Sequence, residues 1–146
     1  MTHIIRLLAL GLLVLLVCLS PAVAAAEGWP ATPEGALARG WVNAFCFGED
    51  SMRVYLERHM APKSLETRST RVRVEKYRAL RDQYGKLQLT KVLTSKPGEL
   101  VVRLMDSNAK EREFVFATQS SPGAKLLSVS IREQQAGHRG MFGFHH

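Results

Sequence analysis

Cysteine is nearly absent. The chain has two in 146 residues, Cys18 and Cys46. Only Cys46 lies beyond the apolar start of the chain, so the folded part has no internal disulfide and must be stabilised by packing. Long apolar runs are also missing. The longest, residues 7–19, is about 13 residues, short of the roughly 20 that cross a bilayer. No G-x-S-x-G turn is present to expose a nucleophilic serine. Acid is scarce, with 13 Asp and Glu against 20 Lys and Arg, giving a formal net charge of +7. A basic excess can indicate nucleic acid, but aromatics are only 8% of the chain and are not interleaved with the basic run as a stacking platform needs. Nucleic acid is therefore not an expected partner. The charge reads as a solvated face, with an anionic envelope surface or acidic partner as the second choice.

What is present begins with a leader. "MTHIIRLLALGLLVLLVCLSPAVAAAEGWP" has a basic front at Arg6, a short apolar run, the breaker Pro21 and Ala-x-Ala sites ending at Ala24 or Ala26. That pattern is a secretory signal peptide over residues 1–26, which places the mature chain outside the cytoplasm, secreted or periplasmic, with no transmembrane anchor after cleavage. Cys18 offers a lipid-attachment rival, disfavoured because Val17 stands where a lipobox wants a small residue. Loss of Arg6 leaves 19 basic against 13 acidic side chains, a net charge of +6. About 120 residues remain, enough for one domain with one core. Residues 27–32 read as a short linker, 33–133 as the domain and 134–146 as a flexible tail.

Helical periodicity comes first along the domain. In residues 33–47, Leu37, Trp41, Ala44 and Phe45 share a stripe, and Val42, Cys46 and Phe47 extend apolar character around the cylinder, which predicts a helix buried nearly all round. Gly48 suits a C-terminal cap and Asp50 an N-terminal one for the next helix. That second helix, residues 51–60, sets Met52, Tyr55, Leu56, His59 and Met60 on one stripe, and Pro62 ends it. "KSLETRST" reads as a polar linker. A third helix follows over residues 70–84, with Val74, Tyr77, Leu80 and Tyr84 inward and Gly85 closing it.

Beyond Gly85 the period becomes two. The turn signals "SKPGE", "DSNAK" and "SSPGAK" separate strands at 87–95, 99–106, 111–118 and 124–133. In the last, Leu127, Val129 and Ile131 alternate with Ser128, Ser130 and Arg132, as in a sheet packed on one face and wet on the other. Short turns imply an antiparallel meander. The fold class is α+β: three N-terminal helices packed on a curved four-stranded antiparallel sheet.

The "W-x-x-A-F-x-x-G-x-D" of Trp41, Ala44, Phe45, Gly48 and Asp50, the two further helices, then "GKLQLTKV" and a meander, resemble a secreted branch of the nuclear transport factor 2-like fold. The resemblance implies a cone whose helices and curved sheet enclose a cavity. It also implies kinship with ligand binders, dimerisation modules, ketosteroid-isomerase-like enzymes, and domains that precede serine hydrolases or peptidases. Its motifs are structural, so they speak to fold more than to function.

An isomerase of that kind needs a carboxylate base in an apolar cavity and a phenol or protonated acid to steady an oxyanion. Phenols are available, but an inward carboxylate is hard to find: Asp106 sits at a turn, Asp82 faces outward, and Glu99, Glu111 and Glu113 lie near strand ends. No residue is therefore assigned a catalytic role. Trp41, Phe45, Tyr55, His59 and Tyr77 are the candidate pocket residues, with Tyr55 and His59 in packing or ligand fit. No cofactor or metal is expected, because His138, His145 and His146 sit in a Gly-rich tail with nothing to fix ligand geometry. The expected function is a non-catalytic binding or interaction module for a small apolar ligand or a protein partner, including a second copy of itself, with a small-molecule enzyme as the alternative.

Overall fold

The structure, a computed structural model, describes residues 28–119 and 123–133. The expected signal peptide and the Gly/His/Phe tail lie outside the described residues. Four helices precede four strands: α1 (Pro33–Phe47), α2 (Glu49–His59), α3 (Pro62–Thr67) and α4 (Thr70–Tyr84), then β1 (Gln88–Lys96), β2 (Glu99–Met105), β3 (Glu111–Gln119) and β4 (Lys125–Arg132). The strands form one antiparallel sheet in the order β1-β2-β3-β4, the expected meander. Among the described residues no helix is long and apolar enough to cross a membrane.

The helix count corrects the expectation of three. Pro62 does not merely end α2. It opens α3 within the supposed polar linker, at a position where its missing N–H costs nothing and its fixed φ suits a first turn. Thr32 caps α1 by accepting from the Gly35 amide at 3.1 Å, and Ser69 caps α4 through the Val72 amide at 3.4 Å. Between α1 and α2 the cap is Gly48 alone, with φ 150° and ψ −179°, a backbone region that only glycine occupies readily. Asp50, expected as that cap, lies inside the helix and pairs with Arg53 at 3.5 Å. It and Glu49 still favour the helix start through the backbone dipole.

Helix α1 lies across β2 and β3. Its buried side carries Leu37, Ala38, Trp41, Val42, Ala44 and Phe45. It is not apolar all round, however: Ala36, Arg39, Asn43 and Phe47, at helical spacing, form a wet stripe on which Phe47 is 86% exposed. Trp41 stacks on Phe45 (5.2 Å between centroids) and meets Phe116 edge-on (5.7 Å), while Phe45 meets Tyr77 of α4 at 5.3 Å. Trp29, in the segment read as a linker, joins this core.

On the sheet, Leu100, Val102 and Leu104 of β2 stand opposite Phe116, Phe114 and Arg112 of β3, and this is the face the helices cover. The phase of β4 differs from the alternation read in the sequence. A register shift between Ala117 and Thr118 makes Leu126 fully buried and leaves Leu127 37% exposed. One extra residue in one strand of a pair moves the following side chains to the opposite face. Val129 and Ile131, opposite Phe116 and Phe114, keep the expected inward side.

Two polar ties fix the ends of the helices. Glu34, buried in the first turn of α1, accepts from the Gly98 amide in the β1–β2 turn at 3.2 Å. At the other end Gly85 closes α4 with φ 71°, and a Cβ there would sit 2.4 Å from Ser107 Oγ. That closeness is used, since Ser107 Oγ accepts from the Lys86 amide at 2.8 Å and the Ser107 amide donates to the Tyr84 carbonyl at 2.9 Å.

Candidate functional site

Because the sheet order leaves β4 with a free edge, the space beside it is closed by other elements. The Met60–Ala61 linker reaches one end of that edge, where Met60 bridges Leu126 in parallel and the Ala61 amide donates to the Leu126 carbonyl at 2.8 Å. Past Leu126, a cavity of about 690 Å³ opens between residues 127–131 and helices α2, α3 and α4.

The floor is apolar. Trp41, Met52, Leu56, Met60 and Tyr77 line it, all buried, while partly buried Leu80, Val129 and Ile131 form the walls. Met52, Leu56 and Met60 recur every four residues, so one row along α2 and its C-cap supplies three of the five floor residues. Exposed Thr67, Arg68, Val72, Lys76, Leu127 and Ser128 surround the mouth. No acidic side chain lines the cavity among the described residues.

Arg73 builds the wall on the α3 side. Its Nε donates to the carbonyl of Arg68, the C-cap of α3, at 3.0 Å and its Nη2 to the Ser64 carbonyl at 2.8 Å, which clamps this short helix to α4. Burial and the neighbouring Arg68 charge lower the pKa of this guanidinium from its usual value.

The five candidate pocket residues divide. Trp41 and Tyr77 line the cavity. Phe45 lies beneath them, fully buried and in contact with both rings. Tyr55 and His59 occupy a different row of α2, away from the cavity lining: the Tyr55 hydroxyl donates to the Leu37 carbonyl at 2.6 Å, and its ring packs on His59 at 4.7 Å. Burial raises the Tyr55 phenol above its ordinary value. Burial, with the charges of Lys125 and Arg58, lowers the His59 pKa. Tyr77 presents its ring to the cavity but donates its hydroxyl to the Phe45 carbonyl at 3.1 Å, and burial raises its pKa. The stripe that looked single in α2 is thus two rows, one for the cavity and one for the α1 contact. Arg68, Arg73 and Lys76 were visible only as members of a basic stretch. Nothing in their spacing distinguished them from Arg71 or Arg78, the latter of which pairs with Glu49 at 2.5 Å.

Of the remaining polar groups, Asp106 is committed elsewhere. Its Oδ1 accepts from the Asn108 and Lys110 amides at 2.8 and 3.0 Å, and its Oδ2 takes the Arg112 guanidinium, which lies 4.2 Å over the Tyr84 ring. Burial alone would raise this carboxyl, but the hydrogen bonds from Lys110, Arg112 and Asn108 outweigh it and hold the group below its ordinary value. Cys46 is tied to the start of β1, donating to the Leu87 carbonyl at 3.3 Å and accepting from the Leu87 amide at 3.4 Å. Among the described residues no group of three His, Cys, Asp or Glu side chains is placed to hold a metal ion. No known family, curated protein or solved structure matches the chain.

Proposed function

We propose that this chain is an exported, non-catalytic binding module that takes a small apolar ligand into the cavity between β4 and helices α2 to α4. One observation carries the proposal: among the described residues, a site of about 690 Å³ with an aromatic and methionine floor is lined by no carboxylate. Its size lies within the roughly 300–1,000 Å³ of small-molecule sites. A ketosteroid-isomerase-like reaction needs a base beside the substrate carbon. The phenol of Tyr77 is occupied by a backbone carbonyl, and the carboxylate of Asp106 by Arg112. The α+β architecture, with helices preceding a four-stranded meander, supports assignment to the nuclear transport factor 2-like cone type, and the leader supports an envelope or extracellular address. A role beside an envelope hydrolase rests on the resemblance alone.

The test is titration of the purified mature chain with N-phenyl-1-naphthylamine, a neutral probe that fluoresces in apolar sites. Saturable binding at one site, removed by Ile131→Trp with the melting curve retained, is the expected result. Absence of saturable binding would refute the ligand-binding reading, and turnover of a Δ5-3-ketosteroid would refute the non-catalytic one.

A further inference from the structure

The cavity is graded in polarity. Its floor is apolar and buried, and the lining cations stand on the α3 and α4 side, with Arg68 and Lys76 exposed at the mouth. Neither Arg68 nor Lys76 makes an ion pair among the described residues, and no acidic side chain lines the site to balance them. Arg73, half-buried, also lines the site, with Nε and Nη2 committed to the Arg68 and Ser64 carbonyls and Nη1 without a hydrogen bond among the described residues. Three like charges beside one apolar site repel one another until an anion joins them. The mouth also leaves two large apolar side chains, Val72 and Leu127, exposed beside those cations.

We infer that the ligand is a single-chain amphiphile with a compact anionic head, a fatty-acid carboxylate or an alkyl monophosphate, whose tail lies on Met52, Leu56 and Trp41 and whose head meets Arg68, Arg73 and Lys76. This rests on the binding function proposed above and specifies its ligand. The tail contributes affinity by leaving water, with the two floor methionines adapting to its shape. The head contributes selectivity, because a charged acceptor beside guanidinium and ammonium donors makes stronger hydrogen bonds than a neutral hydroxyl does. A neutral alcohol of equal length leaves the cations unbalanced, and a bare anion gains nothing from the floor.

The inference is tested on the mature chain by displacement of N-phenyl-1-naphthylamine with dodecanoate, dodecyl phosphate, dodecanol and inorganic phosphate, each below its aggregation limit. Dodecanoate and dodecyl phosphate should displace the probe about tenfold more strongly than dodecanol, and inorganic phosphate should not displace it. The double variant Arg68→Ser/Lys76→Ser, at exposed positions and with its melting curve checked, should bring the ratio of dodecanoate to dodecanol down toward one. Equal displacement by dodecanol and dodecanoate overturns the anionic-head assignment while the apolar site stands. Probe binding that no dodecyl compound displaces has the same consequence. Failure of the probe itself to bind removes both proposals together. Equal potency of inorganic phosphate, or flotation with phosphatidylglycerol vesicles without binding of monomeric dodecanoate, overturns the inference in favour of an anion patch or a membrane surface.

Discussion

At the scale of single residues, the β2–β3 turn shows how much one backbone angle can cost. The Ala109 amide donates to the Asp106 carbonyl at 3.1 Å and the Asp106 amide to the Lys110 carbonyl at 2.9 Å, which defines a tight hairpin loop. Such loops place their last residue in the left-handed region, and Ala109 has φ 59° there. Glycine takes that conformation freely, whereas an L-residue pays about 1–2 kcal/mol. Ala109→Gly should therefore stabilise the domain by about 1 kcal/mol, read as a rise in melting temperature. A fall would mean that the alanine is not strained there. Trp41 represents the opposite case, a residue held by its aromatic neighbours. It is buried against Phe45, Phe114 and Phe116 and also floors the cavity. Trp41→Ala should cost about 3–5 kcal/mol, much of the stability of a small domain, and an unchanged denaturation midpoint would contradict its central place in the core.

At the scale of elements, β4 gives the sharpest test, because two adjacent leucines have opposite fates. Leu126→Ala should cost about 2–5 kcal/mol, whereas Leu127→Ser should stay within about 0.5 kcal/mol. Similar losses at the two positions in urea denaturation would show that the bulge is misplaced. That pair also marks where the sequence stops being legible. Both leucines are apolar, and only the pairing of β4 with β3 decides which one faces the helices; a bulge leaves no signal in β-propensity. Other elements could be read directly. The three longer helices follow from the spacing of Leu37, Trp41 and Phe45, of Met52 and Leu56, and of Val74, Tyr77 and Tyr84. The strands follow from Pro-Gly, Ser-Asn and Pro-Gly turns. Helix α3 was hidden because its six residues are too short for a periodic pattern; it is held by the partial burial of Leu65 against the core and by Arg73 from α4. Of the site, Trp41 and Tyr77 were legible as inward aromatics. The basic mouth was not, because the side of α4 that meets the cavity is set by how α3 docks, which the hydrophobic period does not record.

At the scale of the whole molecule, charge dominates the behaviour. A chain of formal net charge +7 becomes more positive as pH falls, and three groups couple that change to folding, one of them Glu49, whose carboxyl the Arg78 hydrogen bond holds below its ordinary value. His59 is the first. Its folded pKa is lowered by burial and by Lys125 and Arg58, so the unfolded chain takes up the proton first. The stability this gives is complete above the unfolded value of about 6.5 and is lost as pH falls from there through the folded value. Asp106 is the second, and its direction is also downward. Its contribution is complete above the unfolded value of about 3.9 and is lost as pH falls through the folded value, when the carboxyl stops accepting from Arg112 and the turn amides. Acid should therefore weaken the domain in two separated windows rather than one. Melting temperatures measured from pH 8 to pH 3 should show a shallow decline beginning below about 6.5 and a steeper one below about 4. His59→Gln should flatten the first decline and leave the second. Asp106→Asn should lower stability at neutral pH and reduce the second, to which Glu49 still contributes, while leaving the first. If His59→Gln follows the parent curve throughout, the histidine carries no linkage and the first window belongs to general repulsion among the basic side chains.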